Sequence, residues 1–297
     1  MDTPVAVAGP SVWRGATLRE RDWLVPVHPP LPGDAAGAAP PARDGAGPVA
    51  RAERCLNHGP GLAVVRGLDL DGLTDEECVE ACRRFMAPLG DVHPRDPAHP
   101  GDSLLTAATS ASSASSASSS PVPLTYGHRP EEELALHTDR ARFPGPPRLL
   151  GMLCVRPARH GGESVLVSGH AVHNVLLGSR PDVLPDLYRD FHFGRGPDFE
   201  HIYPVFRRRA GRLHMQYNRK WITRGQQEHG APLSTAQVAA LDAFDEVLAD
   251  PRMALRVRLR RGDLLLLDNM AVLHGRTSFT DPPPPHAGRC LMRVWAD

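Results

Sequence analysis

Residues 132–143 read EELALHTDRARF, and within them an imidazole and a carboxylate, His137 and Asp139, stand two positions apart just after Leu134 and Leu136. In an extended segment positions i and i+2 project to the same face, so both side chains aim at one spot. Half of a metal site is made this way. In a chain with 15 histidines an H-x-D match on its own carries little weight. A second feature adds to it: His274, in VLHGRTSF, follows the strongly apolar run DLLLLDN, and a jelly roll can bring it beside His137 and Asp139. Two histidines and one carboxylate on one octahedral face are the donor set of non-haem Fe(II) oxygenases, with three positions left for a cosubstrate and dioxygen. Catalytic zinc can use the same donors, although no HExxH-type motif accompanies them.

Arg289, in GRCLMRVW, is the candidate partner of such a cosubstrate. A 2-oxoglutarate molecule that chelates iron through its keto acid leaves its distal carboxylate inside the protein, where an uncompensated charge is costly. A planar guanidinium meets that carboxylate with two parallel hydrogen bonds, which an ammonium does not. The alternative for Arg289 is a surface position on the last strand.

The elements that must hold these side chains are short and mostly extended. GLAVVRGL, RLLGMLCVRP, GGESVLVSG, DLLLLDN and RCLMRVW read as strands, and Leu255, Val257 and Leu259 alternate strictly with arginines. GRLHMQYNRKWI is another strand-like run, while RPDVLPDLYRDFHF reads as a short helix leading to a strand. Two helices carry start signals. Thr74 with Glu77 opens DEECVEACRRFMAPLG, whose Val79, Cys82 and Met86 form a face suited to covering a sheet; Ser234 with Gln237 opens a helix with Val238, Leu241 and Leu248 in one stripe. Many short strands and few helices predict a mainly β architecture with flanking helices, a sandwich or barrel.

The chain of 297 residues, 41% of them hydrophobic, can bury one large core or two small ones. Residues 29–48, PPLPGDAAGAAPPARDGAGP, hold almost no apolar bulk and read as a mobile connection. SASSASSASSSP, residues 110–121, reads as a flexible loop, either a tolerated surface insertion or a lid over the site. Lys+Arg and Asp+Glu balance at 34 each, which argues against nucleic acid or an anionic membrane as partner and for a small-molecule or carrier-bound substrate. The five cysteines are odd in number and form no CxxC pair, which suits a reducing cytoplasm; Cys78 and Cys82 read as core residues. No stretch has the length and apolarity of a signal peptide or membrane span, and no pattern specifies an oligomer.

The order LALHTD, GGESVLVS, LDNMAVLHGRTSF, RCLMR resembles the taurine dioxygenase superfamily of Fe(II)/2-oxoglutarate-dependent dioxygenases, which includes the clavaminate synthase-like proteins. LAVVRGLDLDGLTDEECVEACRRFMAPLGDVHP is similar to that family's N-terminal strand, helix and following strand, so the likeness runs over residues 62–295. It implies a double-stranded β-helix (jelly roll) over residues 51–297, with a flexible Ser/Ala loop at 107–123 and an N-terminal segment, 1–50, outside it. It implies that His137, Asp139 and His274 bind Fe(II), and that Arg289, the first arginine of RCLMR, holds the distal carboxylate of 2-oxoglutarate. Ser164 in GGES stands where the family commonly has a threonine that helps bind the same carboxylate, and Arg293 aligns with an arginine that approaches an anionic substrate group or the cosubstrate. Related aliphatic halogenases replace the carboxylate ligand by a small residue. With Asp139 present, hydroxylation or another oxidation is favoured over halogenation.

The implied reaction is the O2-dependent oxidation, most simply hydroxylation, of an unactivated C–H bond, with 2-oxoglutarate converted to succinate and CO2. The Ala-, Arg- and Pro-rich composition suggests a high-GC genome, where many relatives tailor amino acids, peptides or other natural products. The competing readings are a catabolic dioxygenase acting on a sulfonate, amine or ether, and a metal-binding jelly roll without oxygenase activity. Asn269 either orients His274 or ends its strand. Tyr217, Asn218 and Arg219 either line a substrate pocket or sit at a strand edge, and His160, His170 and His173 read as solvated or locally satisfied.

Overall fold

A strand that reads LLLLD offers no polar face to water and has to be covered on both sides. The protein meets this requirement by placing that strand inside a sheet with helices on one face and a second sheet on the other. The computed structural model describes residues 4–27, 46–94, 104–106, 132–141, 145–194, 201–281 and 288–297. The N-terminal half contributes β1 (Leu24–Pro26), α1 (Pro48–Asn57), β2 (Leu62–Arg66), α2 (Asp75–Met86), β3 (Leu104–Thr106) and β4 (Leu134–His137). Next come β5 (Leu149–Arg156), β6 (His160–Gly161), β7 (Ser164–Ser168), α3 (Gly169–Ser179), β8 (Asp190–Phe193) and β9 (His201–Pro204). They are followed by β10 (Phe206–Arg209), β11 (Arg212–Met215), α4 (Arg219–Glu228) and α5 (Thr235–Ala249). The chain closes with β12 (Leu255–Val257), β13 (Leu264–Asp268), β14 (Val272–Arg276), β15 (Phe279–Thr280) and β16 (Cys290–Ala296).

Two sheets dominate: a six-stranded one ordered β1-β2-β13-β5-β16-β3 and a four-stranded one ordered β12-β7-β14-β4. All pairings are antiparallel except β1 with β2. Period-two alternation sorts the side chains of the larger sheet. Ala63, Val65, Leu264, Leu266, Met292 and Val294 pack with Leu56 of α1 and with Val79, Cys82 and Met86 of α2. Leu62, Val64, Leu265, Leu267, Leu291 and Trp295 turn the other way and pack with Leu166 and Val272 of the smaller sheet. The outer face of the smaller sheet, through Val167 and Leu273, is covered by α3, α5 and the β8–β11 region. Each fully buried leucine or valine contributes about 1.5–3 kcal/mol, so the alternation fixes which side chains can occupy the space between the sheets.

The helix starts are local. Thr74 Oγ1 accepts from Glu77 N–H at 3.2 Å while Glu77 Oε2 accepts from Thr74 N–H at 2.8 Å, and Ser234 with Gln237 repeats the exchange. The stripe on α5 differs from expectation at Val238, which is 37% exposed, whereas Ala240, Leu241 and Phe244 form the buried face. A second difference lies in GRLHMQYNRKWI: only Arg212–Met215 is strand, and Asn218 Oδ1 accepts from Trp221 N–H at 3.1 Å to start α4. Sequence reading also passed over α1, whose signal is Pro48 at its first turn. Most of the 29–48 tract and the whole Ser/Ala segment at 107–123 lie outside the described residues. Among the described residues no helix is long and apolar enough to cross a membrane, and all five cysteines are free, with Cys78 and Cys82 in the core.

Two predictions follow from this packing. A Cβ at Gly151 would lie 2.2 Å from Met86 Sδ, so α2 sits directly on the sheet there. Gly151→Val is expected to lower unfolding free energy by about 1–3 kcal/mol or more, measured by urea denaturation. His173 is buried against Tyr188, and burial pushes its pKa down from 6.5 to about 4. The unfolded chain therefore takes up a proton in that interval which the fold refuses, so stability should fall as pH drops from 6.5 to 4. His173→Leu should flatten that part of the melting temperature against pH curve.

Candidate active site

β4 and β14 are antiparallel neighbours, and their register sets His137 opposite His274. The two rings lie with centroids 4.5 Å apart. Between the two histidines' strands the backbones approach closely: a Cβ at Gly275 would meet Leu134 O at 2.6 Å, so only glycine fits there. Asp139 lies two residues past His137, on the same side, with Oδ1 at 3.6 Å from Nε2 of both histidines. One donor atom from each of the three residues falls within 4.8 Å of the others. His137 Nδ1 is 2.8 Å from Ala135 O, a bond only its N–H form can donate, which leaves Nε2 as a free lone pair aimed at the cluster.

The backbone beneath Asp139 is tied down from two sides. Asn269 Oδ1 accepts from Asp139 N–H at 2.7 Å, while its amide donates to Asp139 O at 3.0 Å and Pro147 O at 2.9 Å. Thr138 N–H donates to Tyr217 O at 2.8 Å, and Tyr217 N–H donates back to Thr138 Oγ1 at 3.0 Å. Asn269 thus serves the carboxylate residue and not His274. Tyr217 itself is a core side chain stacked on Phe244, with its hydroxyl bonded to Asp245; Asn218 caps α4, and Arg219 pairs with Asp242 at 2.7 Å and Asp245 at 2.9 Å. None of the three lies in a strand, so the strand-edge alternative does not hold.

Asp139 is 4% exposed. Burial pushes its carboxyl up, but the Arg293 guanidinium, with the His137 and His274 imidazoles close by, outweighs that and holds it well below the usual range. Arg293 Nη1 donates to Oδ1 at 3.2 Å and to Oδ2 at 3.1 Å, and Trp295 Nε1–H donates to Oδ2 at 2.9 Å. His274 is pushed down to about 4 chiefly by burial, so it is neutral at pH 7 and able to act as a ligand. Its Nδ1 is buried and has no hydrogen-bond partner among the described residues. Two neutral-capable imidazoles and one ionised carboxylate, converging with one side open, fit a divalent non-haem iron.

A second polar group lies along the same inner face. Ser164 is opposite Arg276 in the β7–β14 register. Arg289 is 6% exposed, so the surface alternative does not hold; its backbone N–H donates to Asp281 Oδ1 at 2.9 Å, and that carboxylate also acts on its guanidinium. It lies against the GGES turn, where a Cβ on Gly162 would be 3.2 Å from Arg289 Nε. Gly161 and Gly162 both have positive φ, +67° and +69°, which a side chain would strain. Burial pushes the Arg289 pKa down, and burial with the Arg289 charge pushes Arg276 to about 10. Three further histidines are accounted for locally: His170 bonds Ser11 and Leu213 O, His173 bonds Tyr188, and His160 is exposed.

A pair of facing antiparallel sheets with a His-x-Asp and a distant His between them defines the class of non-haem iron oxygenases. The chain belongs to the family described as "Taurine catabolism dioxygenase TauD, TfdA family", whose model matches residues 30–295, starting N-terminal to the likeness visible from residue 62. The protein is accordingly an Fe(II)/2-oxoglutarate-dependent dioxygenase. It is 27% identical over 258 residues to FR-33289 synthase of Streptomyces rubellomurinus, covering 83% of this chain and 72% of that protein. It is 32% identical over 152 residues to a uridine-5'-phosphate dioxygenase of a Streptomyces species, covering 48% of this chain and 53% of that protein. An asparagine oxygenase in complex with Fe(II), a hydroxyasparagine and succinate has the same fold, with a TM-score of 0.60 at 21% identity over 84% of this chain and 77% of the other. The non-haem iron oxygenase OrfP, in complex with Fe and alpha-ketoglutaric acid, aligns with a TM-score of 0.57 at 17% identity over 84% and 78%.

Asn269→Ala would strand the Asp139 N–H and two carbonyls in a buried site. A loss of about 1–3 kcal/mol or more in unfolding free energy is expected, with Asn269→Asp no better because the amide donors are gone; urea denaturation of both variants is the check.

Proposed function

We propose that this protein hydroxylates an unactivated C–H bond of an amino acid or natural-product intermediate, free or carrier-bound, within a double-stranded β-helix formed by the two sheets over residues 51–297. The observation that carries this reading is the pairing of a three-donor cluster with a buried guanidinium on one inner face. His137, Asp139 and His274 hold Fe(II). Arg289 and the Ser164 hydroxyl hold the distal carboxylate of 2-oxoglutarate, and Arg293 lies between the metal carboxylate and any anionic group that approaches it. Bound iron with 2-oxoglutarate and O2 supplies oxidising power, yielding succinate and CO2. The chain's own part is to bind and orient: Asn269 and Thr138 fix the Asp139 backbone, Arg289 sets the cosubstrate's far end, and the apolar residues between the sheets exclude water. The Asp139 carboxylate favours hydroxylation over halogenation. Hydroxylation of a small molecule is supported by the likeness to an asparagine oxygenase bound to a hydroxyasparagine and succinate and to a uridine-5'-phosphate dioxygenase. Five free cysteines suit a reducing cytoplasm as the place of work.

The test needs no knowledge of the substrate. Under anaerobic conditions the Fe(II)-loaded protein should develop the weak visible absorption of a chelated keto acid when 2-oxoglutarate is added. Arg289→Ala should raise the 2-oxoglutarate concentration required about 10–100-fold, in line with losing a buried charge-assisted pair, and His137→Ala or Asp139→Ala should abolish the band while leaving the fold intact by circular dichroism. A wild-type protein that binds iron yet develops no band would overturn the reading and favour a metal-binding protein without oxygenase activity.

A further inference from the structure

We propose that Trp295 is a positioning residue for Asp139, holding Oδ2 so that Oδ1 alone faces the two histidines; the inference rests on the metal-ligand reading above. The two carboxylate oxygens are not equivalent. Oδ1 is the one 3.6 Å from both imidazole nitrogens. Oδ2 accepts the Trp295 indole N–H at 2.9 Å. Arg293 bonds both oxygens, at 3.2 and 3.1 Å, and so does not distinguish them. The indole does, since it has one donor and no acceptor.

The indole is itself fixed. Trp295 sits at the end of β16 in register with Leu150, 7% exposed, within the apolar cluster between the sheets. The Arg293 guanidinium lies 4.6 Å and the Arg140 guanidinium 4.9 Å from its ring centroid, a cation–π arrangement that restrains the ring. Arg140 reaches the ring from the residue next to Asp139 and adopts φ +54°, a left-handed conformation that non-glycine residues seldom hold. A carboxylate restricted to one oxygen takes up one ligand position, and the two-histidine, one-carboxylate set then keeps its open side.

Co(II) binding, measured by calorimetry and by visible absorption on wild type, Trp295→Phe, Asp139→Ala and the double variant, tests this without any turnover. Trp295→Phe keeps an aromatic ring and removes the donor. It should weaken Co(II) about tenfold or more and change the Co(II) absorption spectrum, yet cause no further loss when Asp139 is already alanine. An equal loss in both backgrounds would mean that Trp295 acts only by packing, and no loss from Trp295→Phe in the otherwise wild-type protein would also overturn the inference. Asp139→Ala without effect on Co(II) affinity would instead remove the metal-site reading, and the inference with it. If the phenylalanine variant does not fold, benzothienylalanine at position 295, which keeps the indole shape without its N–H, gives the same comparison.

Discussion

An ionised carboxylate enclosed between two apolar sheets is the constraint on which this architecture turns. Removing such a group from water costs several kcal/mol even after relaxation, and the penalty is offset only by well-placed opposite charge and hydrogen bonds. For Asp139 these come from Arg293 and Trp295 on the last strand and from two imidazoles. The partners are far apart in sequence, so the site exists only when β16 lies alongside β5 in the correct register, with Arg293 opposite Met152 and Trp295 opposite Leu150. A slip of one residue would turn Arg293 and Trp295 toward α2 and send Met292 and Val294 inward. The apolar residues that alternate with them hold the register, which makes core packing and site assembly one requirement.

The same economy governs the backbone. Asn269 follows directly on β13, and its side chain binds both the N–H and the carbonyl of Asp139, joining the central strand of one sheet to the continuation of β4 in the other. Gly275 allows β4 to close on β14 so that the ligand histidines face each other. Neither residue touches the donor atoms. Both decide where those atoms are, and a loop-borne site without such ties would be less well ordered.

Much of this was legible in the sequence because it is local or periodic. His137 and Asp139 follow from a spacing of two, the buried strands from runs such as LLLLD, and the helix starts from Thr74 with Glu77 and Ser234 with Gln237. What was not legible depends on long-range register. Asn269 reads as a turn residue because its acceptors and donors lie 122–130 residues away. Trp295 reads as a core aromatic, and only its two-residue spacing from Arg293 hints that it shares that residue's face. The helical start at Arg219 was hidden because aromatic and apolar residues suit a strand equally well, and the deciding contact is the Asn218 cap.

Charge along the inner face has a further consequence for what can bind. At one pole Asp139 is balanced by Arg293, with His274 held neutral at physiological pH. At the other, Arg276 and Arg289 both lie against the Phe279 ring, at 4.5 and 5.4 Å, and among the described residues share one nearby carboxylate, Asp281. Among the described residues, two guanidinium groups face one carboxylate there, one of them buried and the other half-buried. A neutral ligand would leave that imbalance standing and a cationic one would worsen it. A molecule with a carboxylate at one end and a metal-chelating acid at the other satisfies both poles at once. On the proposed reading, the inner face suits a dicarboxylic keto acid by charge as well as by donor geometry.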